Sequence, residues 1–300
     1  MSSFTDKVRI HRIGSSCLGS VNFKHHMKTI LALYADYTNI IVISALPAIT
    51  DKLIGITRVD TLVKRKELIE DIEASYISMA TKVLSKEFIG GYQAFLNRNL
   101  PYFYKSLRKY PLPYAELVFQ GEFLSAELIR QFIKSCGKNA ITLDAENLIL
   151  VEEENGSITP DLKICNYKIK QILFPLLKNN GTICLVPGFY GIDRTQKIVL
   201  LGRNGSDTTA AILGHGLADD FEVEILFWKD VDGLFTGDPK VDANVERVPK
   251  ISHKEFLQRF KEYSAVIHPQ TVEIAARRNI ILKIRNFENP FSSQETIIQS

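Results

Sequence analysis

Residues 201–210 read Leu201-Gly202-Arg203-Asn204-Gly205-Ser206-Asp207-Thr208-Thr209-Ala210. An apolar run at 197–201 leads into them and a helical pattern at 206–216 follows, so the stretch is a strand, a tight turn and a helix start. Gly202 and Gly205 let the backbone approach a ligand closely, and Ser206 or Asp207 can cap the helix. Amide groups and partial positive charge at such a helix start suit an anion. Arg203 adds a planar fork matched to a carboxylate. Spacing alone leaves a second reading open, an ordinary turn with a capping serine.

The same alternation spreads outward. Strand patterns at 7–13, 39–44, 140–143, 182–186 and 223–228 are separated by helical patterns that begin near Val21 and run over 122–135 and 166–177, and 50–108 is mostly helical. The strand at 7–13 alternates polar and apolar, as if one face were covered, whereas 39–44 is a buried β-branched run. Helices between such runs imply an α/β fold with a mostly parallel sheet covered on both faces. Ligands sit where loops leave the carboxyl ends of its strands.

Composition narrows the classes. With 37 basic and 34 acidic residues among 300 and a net charge of +3, nothing favours nucleic acid as the partner. No apolar run approaches the roughly 20 residues that span a bilayer, and residues 1–7 lack the apolar core of a signal peptide. Cys17, Cys136, Cys165 and Cys184 form no CxxC pair, which points to reduced thiols, a cytoplasmic setting and no metal site.

Three further segments carry chemistry. Gly14-Ser15-Ser16 follows the first strand and is a weak phosphate-turn candidate; no GxxxxGK[ST] is present. Trp228-Lys229-Asp230-Val231-Asp232-Gly233-Leu234-Phe235-Thr236-Gly237-Asp238-Pro239-Lys240 packs aromatic, acidic and basic groups into a loop. An aromatic slot beside lysine suits a purine and its phosphates; a Ca²⁺ loop or a structural Ω-loop fits the same residues. Val266-Ile267-His268-Pro269 invites either a catalytic or a structural reading of the histidine.

In this order the segments resemble the aspartate kinase branch of the amino-acid kinase family. Residues 201–210 resemble its LGRGGSD-x-TA motif, and 229–239 its K/T-D-V-x-G-[VI]-[YF]-T-x-DP motif. Gly121-Glu122-Phe123-Leu124-Ser125 is similar to GE-x-x-S, Ser44-Ala45 with Thr50-Asp51 to SA-x-x-x-x-T-[DN], and 266–269 to VLHP. The resemblance implies a three-layer αβα sandwich around an eight-stranded sheet, forming a single domain over 1–300. Residues 1–195 would bind an amino acid and 196–300 would bind ATP with Mg²⁺ carried on its phosphates. By motif position, Ser44, Thr50, Glu122, Arg203, Asn204, Gly205, Ser206 and Asp207 belong to the amino-acid site, with Arg203 on the α-carboxylate and Glu122 on the ammonium. Lys229, Asp230, Phe235, Asp238, Lys240 and Val266 belong to the nucleotide site.

The resemblance also marks departures. The family's first strand ends in KFGGTS, whose lysine faces the transferring phosphate; here the aligned residues are His11-Arg12-Ile13-Gly14-Ser15-Ser16. His11 would then be the catalytic residue, with Gly14 and Ser15 in the turn. Arg9, on the same strand face, would supply charge while Arg12 points away. On this reading His11→Lys should raise turnover. Ala265 stands where many relatives place a second lysine, and Asn204 replaces a glycine. Residues 286–298 resemble the end of the kinase domain, so feedback or pairing through regulatory ACT domains is not expected, and a homodimer by other surfaces stays open. The resemblance implies phosphorylation of the side-chain carboxylate of aspartate or an analogue. A non-catalytic relative that binds nucleotide or amino acid, and a kinase with another acceptor, remain alternatives.

Overall fold

The computed structural model describes residues 6–109, 111–154, 156–178, 181–237, 244–263 and 266–300, with side chains outside 260–263. Eight strands share one sheet: β1 (Lys7–Ile13), β2 (Thr38–Ile43), β3 (Asn139–Thr142), β4 (Thr182–Pro187), β5 (Glu222–Lys229), β6 (Lys250–Ser252), β7 (Ile281–Asn286) and β8 (Glu295–Gln299). Their order is β6-β8-β7-β5-β1-β2-β4-β3. The six strands from β7 to β3 run parallel; β8 is antiparallel to β7, and β6 runs with β8.

Apolar residues on the two faces of these strands seed two cores. Val8, Ile10, Val42, Ile225 and Leu282 pack with α8 (Leu162–Leu177), α9 (Gly205–Leu217), α10 (His253–Tyr263) and α11 (Pro269–Ala276). Ile13, Ile41, Ile43, Leu185 and Trp228 face the other way. There they meet α1 (Ser15–Leu18), α2 (Phe23–Leu33), α3 (Ile49–Arg58), α4 (Leu62–Val83), α5 (Lys86–Ser106), α6 (Tyr114–Val118) and α7 (Gln120–Ser135). This is the three-layer, mostly parallel sandwich expected of the sequence. Every residue of α9 is buried, consistent with its Ala-, Ile- and Leu-rich make-up and its place between α8 and α11.

Two strand expectations need correction. β1 is covered on both faces, because its polar residues are paired rather than solvated. Arg9 reaches Glu224 at 3.1 Å and lies over the Tyr37 ring, 4.4 Å from its centroid. The run at 197–201 is not a strand of the parallel sheet. Ile198–Leu200 pairs antiparallel with Tyr190–Ile192, because Asp193 Oδ1 accepts from the amides of Thr195 and Lys197 and folds the chain straight back.

Candidate functional site

Sheet register builds the site. Trp228, Ile13, Ile43 and Pro187 stand in one row across β5, β1, β2 and β4. The next residues, Lys229, Gly14, Ser44 and Gly188, therefore leave the sheet side by side at its carboxyl edge, where a ligand cleft belongs. The start of α9 closes on that row. Ser206 Oγ lies 3.3 Å from Ser44 Oγ, and Lys229 Nζ lies 3.1 Å from Asp207 Oδ2. The turn at 202–207 and the loop that starts at 229 thus meet in one place.

Local conformation makes this approach workable. Asn204 sits in the left-handed region at φ 58°, which asparagine tolerates, so it fills a glycine position without breaking the turn. Its side chain makes no capping hydrogen bond, and the first turn of α9 is left without a side-chain cap. A Cβ on Gly188 would stand 2.7 Å from Ser206 Cβ, and one on Gly205 would stand 2.9 Å from Leu201 Cβ. Both glycines are needed to bring backbone against backbone. Between them Phe189 holds a positive φ of 80°, strained for an aromatic residue. The strand-end rule applied to Val186-Pro187-Gly188-Phe189 would have flagged this wall, which the motif reading missed.

The charged centre is Asp207, fully buried between two cations. Arg12 Nε stands 2.6 Å from its Oδ1, although the N–H is not aligned for a hydrogen bond, and Lys229 holds Oδ2. Burial lowers the Lys229 pKa, and Asp207 opposes that shift. Two cations against one carboxylate leave a net positive cleft, and a Cβ on Gly14 would collide with Arg12 Nη1 at 2.5 Å. Arg12 is therefore the β1 side chain at the site.

This overturns the catalytic assignment of His11 and Arg9. Alternation on β1 turns both toward the opposite face. His11 is 2% exposed; its Nδ1 accepts from Trp228 Nε1 at 3.1 Å, so Nε2 carries the proton donated to Asn39 Oδ1 at 2.9 Å. Burial pulls its pKa down to about 4, and the Arg9 and Arg285 charges act in the same direction against the Asn39 hydrogen bond. It is a neutral structural histidine. The reading failed because the motif was set one residue out of register: Arg12-Ile13-Gly14 matches K-F-G at the same spacing, and a one-residue slip turns every side chain of a strand to the other face.

Glu122, in the first turn of α7, is 4% exposed and its Oε2 has no hydrogen-bond partner. Desolvation raises its pKa to about 8, opposed by the amides of Glu122 and Ala45 and by the Arg12 charge. Tyr76 steadies this turn by donating to the Gly121 carbonyl at 2.6 Å. The Ala45 amide that bonds the Glu122 carboxyl follows Ser44, so the carboxyl lies near the Ser44–Ser206 pair. Arg203 is exposed and has no ion-pair partner among the described residues, and Thr50 and Ser15 are half-buried.

On the loop, Asp230 is exposed and Asp232 accepts from Asn286 Nδ2 at 3.0 Å. Phe235, half-buried, lies in a two-residue strand paired with Arg247–Val248, and Val266 packs on the α9-side core. Asp238, Lys240 and Ala265 lie outside the described residues. His268 caps α11, its Nδ1 accepting from the Gln270 amide at 3.2 Å, which favours the structural reading. Among the described residues no three His, Cys, Asp or Glu side chains cluster to hold a metal ion, and no helix is long and apolar enough to cross a membrane.

A mostly parallel αβα sandwich thus brings Arg12, Asp207, Lys229 and the start of α9 together at its strand ends. The chain belongs to the amino acid kinase family, whose profile matches residues 7–286. Aspartokinase of Chlamydia pneumoniae is 29% identical over 256 residues, covering 85% of this chain and 55% of that protein. Chloroplastic aspartokinase 3 of Arabidopsis thaliana is 25% identical, covering 97% and 53%. The chain thus spans little more than half the length of these relatives. Among solved structures, E. coli aspartokinase III in complex with aspartate and ADP superposes with a TM-score of 0.84 at 22% identity, covering 98% of this chain and 65% of that one. UMP kinase from Ureaplasma parvum shares the fold more distantly, with a TM-score of 0.53 at 14% identity and 99% of each chain covered.

Proposed function

We propose that the protein transfers the γ-phosphoryl group of ATP to the side-chain carboxylate of aspartate or a close analogue, giving an acyl phosphate and ADP. The observation that carries this reading is Glu122 Oε2, a buried acceptor without a partner beside the Ser44–Ser206 pair. A buried carboxyl left unpaired is costly unless a ligand completes it. The ammonium of an amino acid does so, and Arg203 takes its α-carboxylate bidentately. The aspartate and ADP held by the E. coli neighbour support the same ligand pair.

Within this reading the acceptor carboxylate is already ionised at neutral pH and needs no general base. Arg12, Lys229 and the start of α9 face charge developing on the transferred group, and Asp207 fixes both cations in place. Mg²⁺ carried on the phosphates would supply further neutralisation, and Asp207, engaged by Arg12 and Lys229, would not be needed to hold it. Residues 1–195 bring Ser44 and Glu122 to the amino-acid site, and 196–300 complete it with Arg203 and Ser206 and carry the nucleotide site with Phe235 and Val266.

Incubation with Mg-ATP, hydroxylamine and a panel of amino acids tests the proposal. Aspartate-dependent ADP and hydroxamate are expected. Hydroxamate from another amino acid would replace the acceptor, and binding without product would make the chain a non-catalytic relative.

Two variants probe the clamp. Arg203→Ala should raise the KM for aspartate by about 10- to 100-fold with Tm unchanged, the loss of a charge-assisted fork at an exposed site. An unchanged KM would remove Arg203 from the site. Glu122 should make aspartate binding depend on pH. Below its pKa of about 8 the carboxyl holds a proton, and the ammonium binds the ionised form, so binding must expel that proton. Affinity measured by calorimetry should rise about tenfold per unit as pH approaches 8 from below and level off above. Glu122→Gln should bind weakly with no slope; a flat wild-type profile would contradict the assignment.

A further inference from the structure

A cavity of about 500 Å³ opens between the end of α5, the α6–α7 junction, residue 146 and the strand Ile198–Leu200. Its size lies within the range that takes a small organic ligand, about 300–1,000 Å³. The inner lining is aromatic: Phe103 is buried, and Phe119 and Phe123 stand with ring centroids 6.3 Å apart. At its mouth Lys109 is held by Glu116 at 3.1 Å, whereas Lys105 and Lys197 have no ion pair among the described residues. Glu146 is the lining carboxylate left outside an ion pair. With Lys109 paired to Glu116, Lys105 and Lys197 stand against Glu146 over an aromatic floor, which matches a flat apolar body with a single negative charge.

The cavity is also lined by the elements that carry both halves of the amino-acid clamp. Gln120 and Phe123, which line it, flank Glu122 on α7. Phe119 meets Tyr190 with ring centroids 4.6 Å apart, and Tyr190 pairs with Leu200 in the hairpin that feeds the turn at 202–206. The Leu201 amide then donates to the Phe189 carbonyl at 2.7 Å, tying that hairpin to the wall of the pocket.

We propose that this cavity is a second ligand site for a small aromatic monoanion, and that its occupancy weakens amino-acid binding by holding α7 and the 190–200 hairpin apart. The coupling rests on the amino-acid site proposed above; the binding does not. Phenylpyruvate, neutral phenylacetamide and zwitterionic phenylalanine serve as probes, titrated by ligand-observed NMR without nucleotide. Lys105→Ala/Lys197→Ala, altered only at exposed side chains, serves as the control protein. Phenylpyruvate should bind in preference to the other two and about tenfold more weakly to the double variant. At saturation it should raise the calorimetric Kd for aspartate about fivefold in the parent and not in the variant. Absence of binding at millimolar phenylpyruvate, equal binding of phenylacetamide or phenylalanine, or binding that survives the double substitution overturns the site. Saturation that leaves the aspartate Kd unchanged overturns the coupling. If aspartate itself fails to bind, the proposed function falls while the phenylpyruvate titration still decides the cavity.

Discussion

An Arg12→Met protein is expected to lose about 10²- to 10³-fold in ADP formation while keeping its fold, as is typical when one donor aimed at developing charge is removed. Methionine keeps much of the apolar stem and removes the guanidinium, whose Nη1 is the group beside Gly14. Lys229 still holds Asp207 at 3.1 Å, so the buried carboxylate is not orphaned, and the large penalty for a broken buried pair is avoided. What disappears is one of the two cations that Asp207 aims into the cleft. Arg12→Lys restores the charge without the planar fork, and should recover part of the rate. Initial rates at saturating Mg-ATP and aspartate, with Tm measured in parallel, check the expectation. Turnover within about threefold of the parent in a folded Arg12→Met protein would remove Arg12 from phosphoryl transfer.

That residue shows where sequence reading succeeds and where it stops. The alternation of 3.6- and 2-residue patterns located most of the sheet strands, because buried β-branched runs such as 39–44 leave few other options. Gly202, Asn204 and Gly205 were legible as a ligand turn because left-handed and close-approach positions restrict residue type. That 202–207 meets the loop from 229 is seen in the structure, in the Lys229–Asp207 pair. Which β1 side chain faces the cleft was not legible. A one-residue slip in motif register reverses the facing of every strand residue, and a short motif with two glycine-like positions does not resolve it. Ile198–Leu200 was misplaced for a related reason: its apolar run suits a core strand equally well, and only the hydrogen bonds of Asp193 commit it to a hairpin. Gly188 and Phe189 carried no motif and became visible only when backbone distances were known.

His11→Lys, which motif alignment favours as a gain of function, is instead expected to destabilise the protein by about 3–5 kcal/mol, a cost typical of an unpaired buried charge. Lysine cannot accept from Trp228 Nε1, so a buried donor loses its partner as well. Its ammonium would also lie among Arg9 and Arg285, whose charges already disfavour a protonated ring at this position. A Tm lowered by about 10 °C and turnover no higher than the parent's are the expected outcome. The parent should show the same physics in its pH dependence. The folded-state pKa of His11, about 4, lies below the unfolded value of 6.5. Between those pH values the unfolded chain takes up a proton that the native ring refuses, so stability declines as pH falls through the window. The integrated loss attributable to His11 is about 3 kcal/mol. His11→Asn, which titrates nowhere in this range, should lack that part of the decline even if its stability at pH 7 is lower. Equal slopes between pH 6.5 and 4 for the parent and His11→Asn, or a His11→Lys protein that is as stable as the parent and turns over faster, would return His11 to the active site.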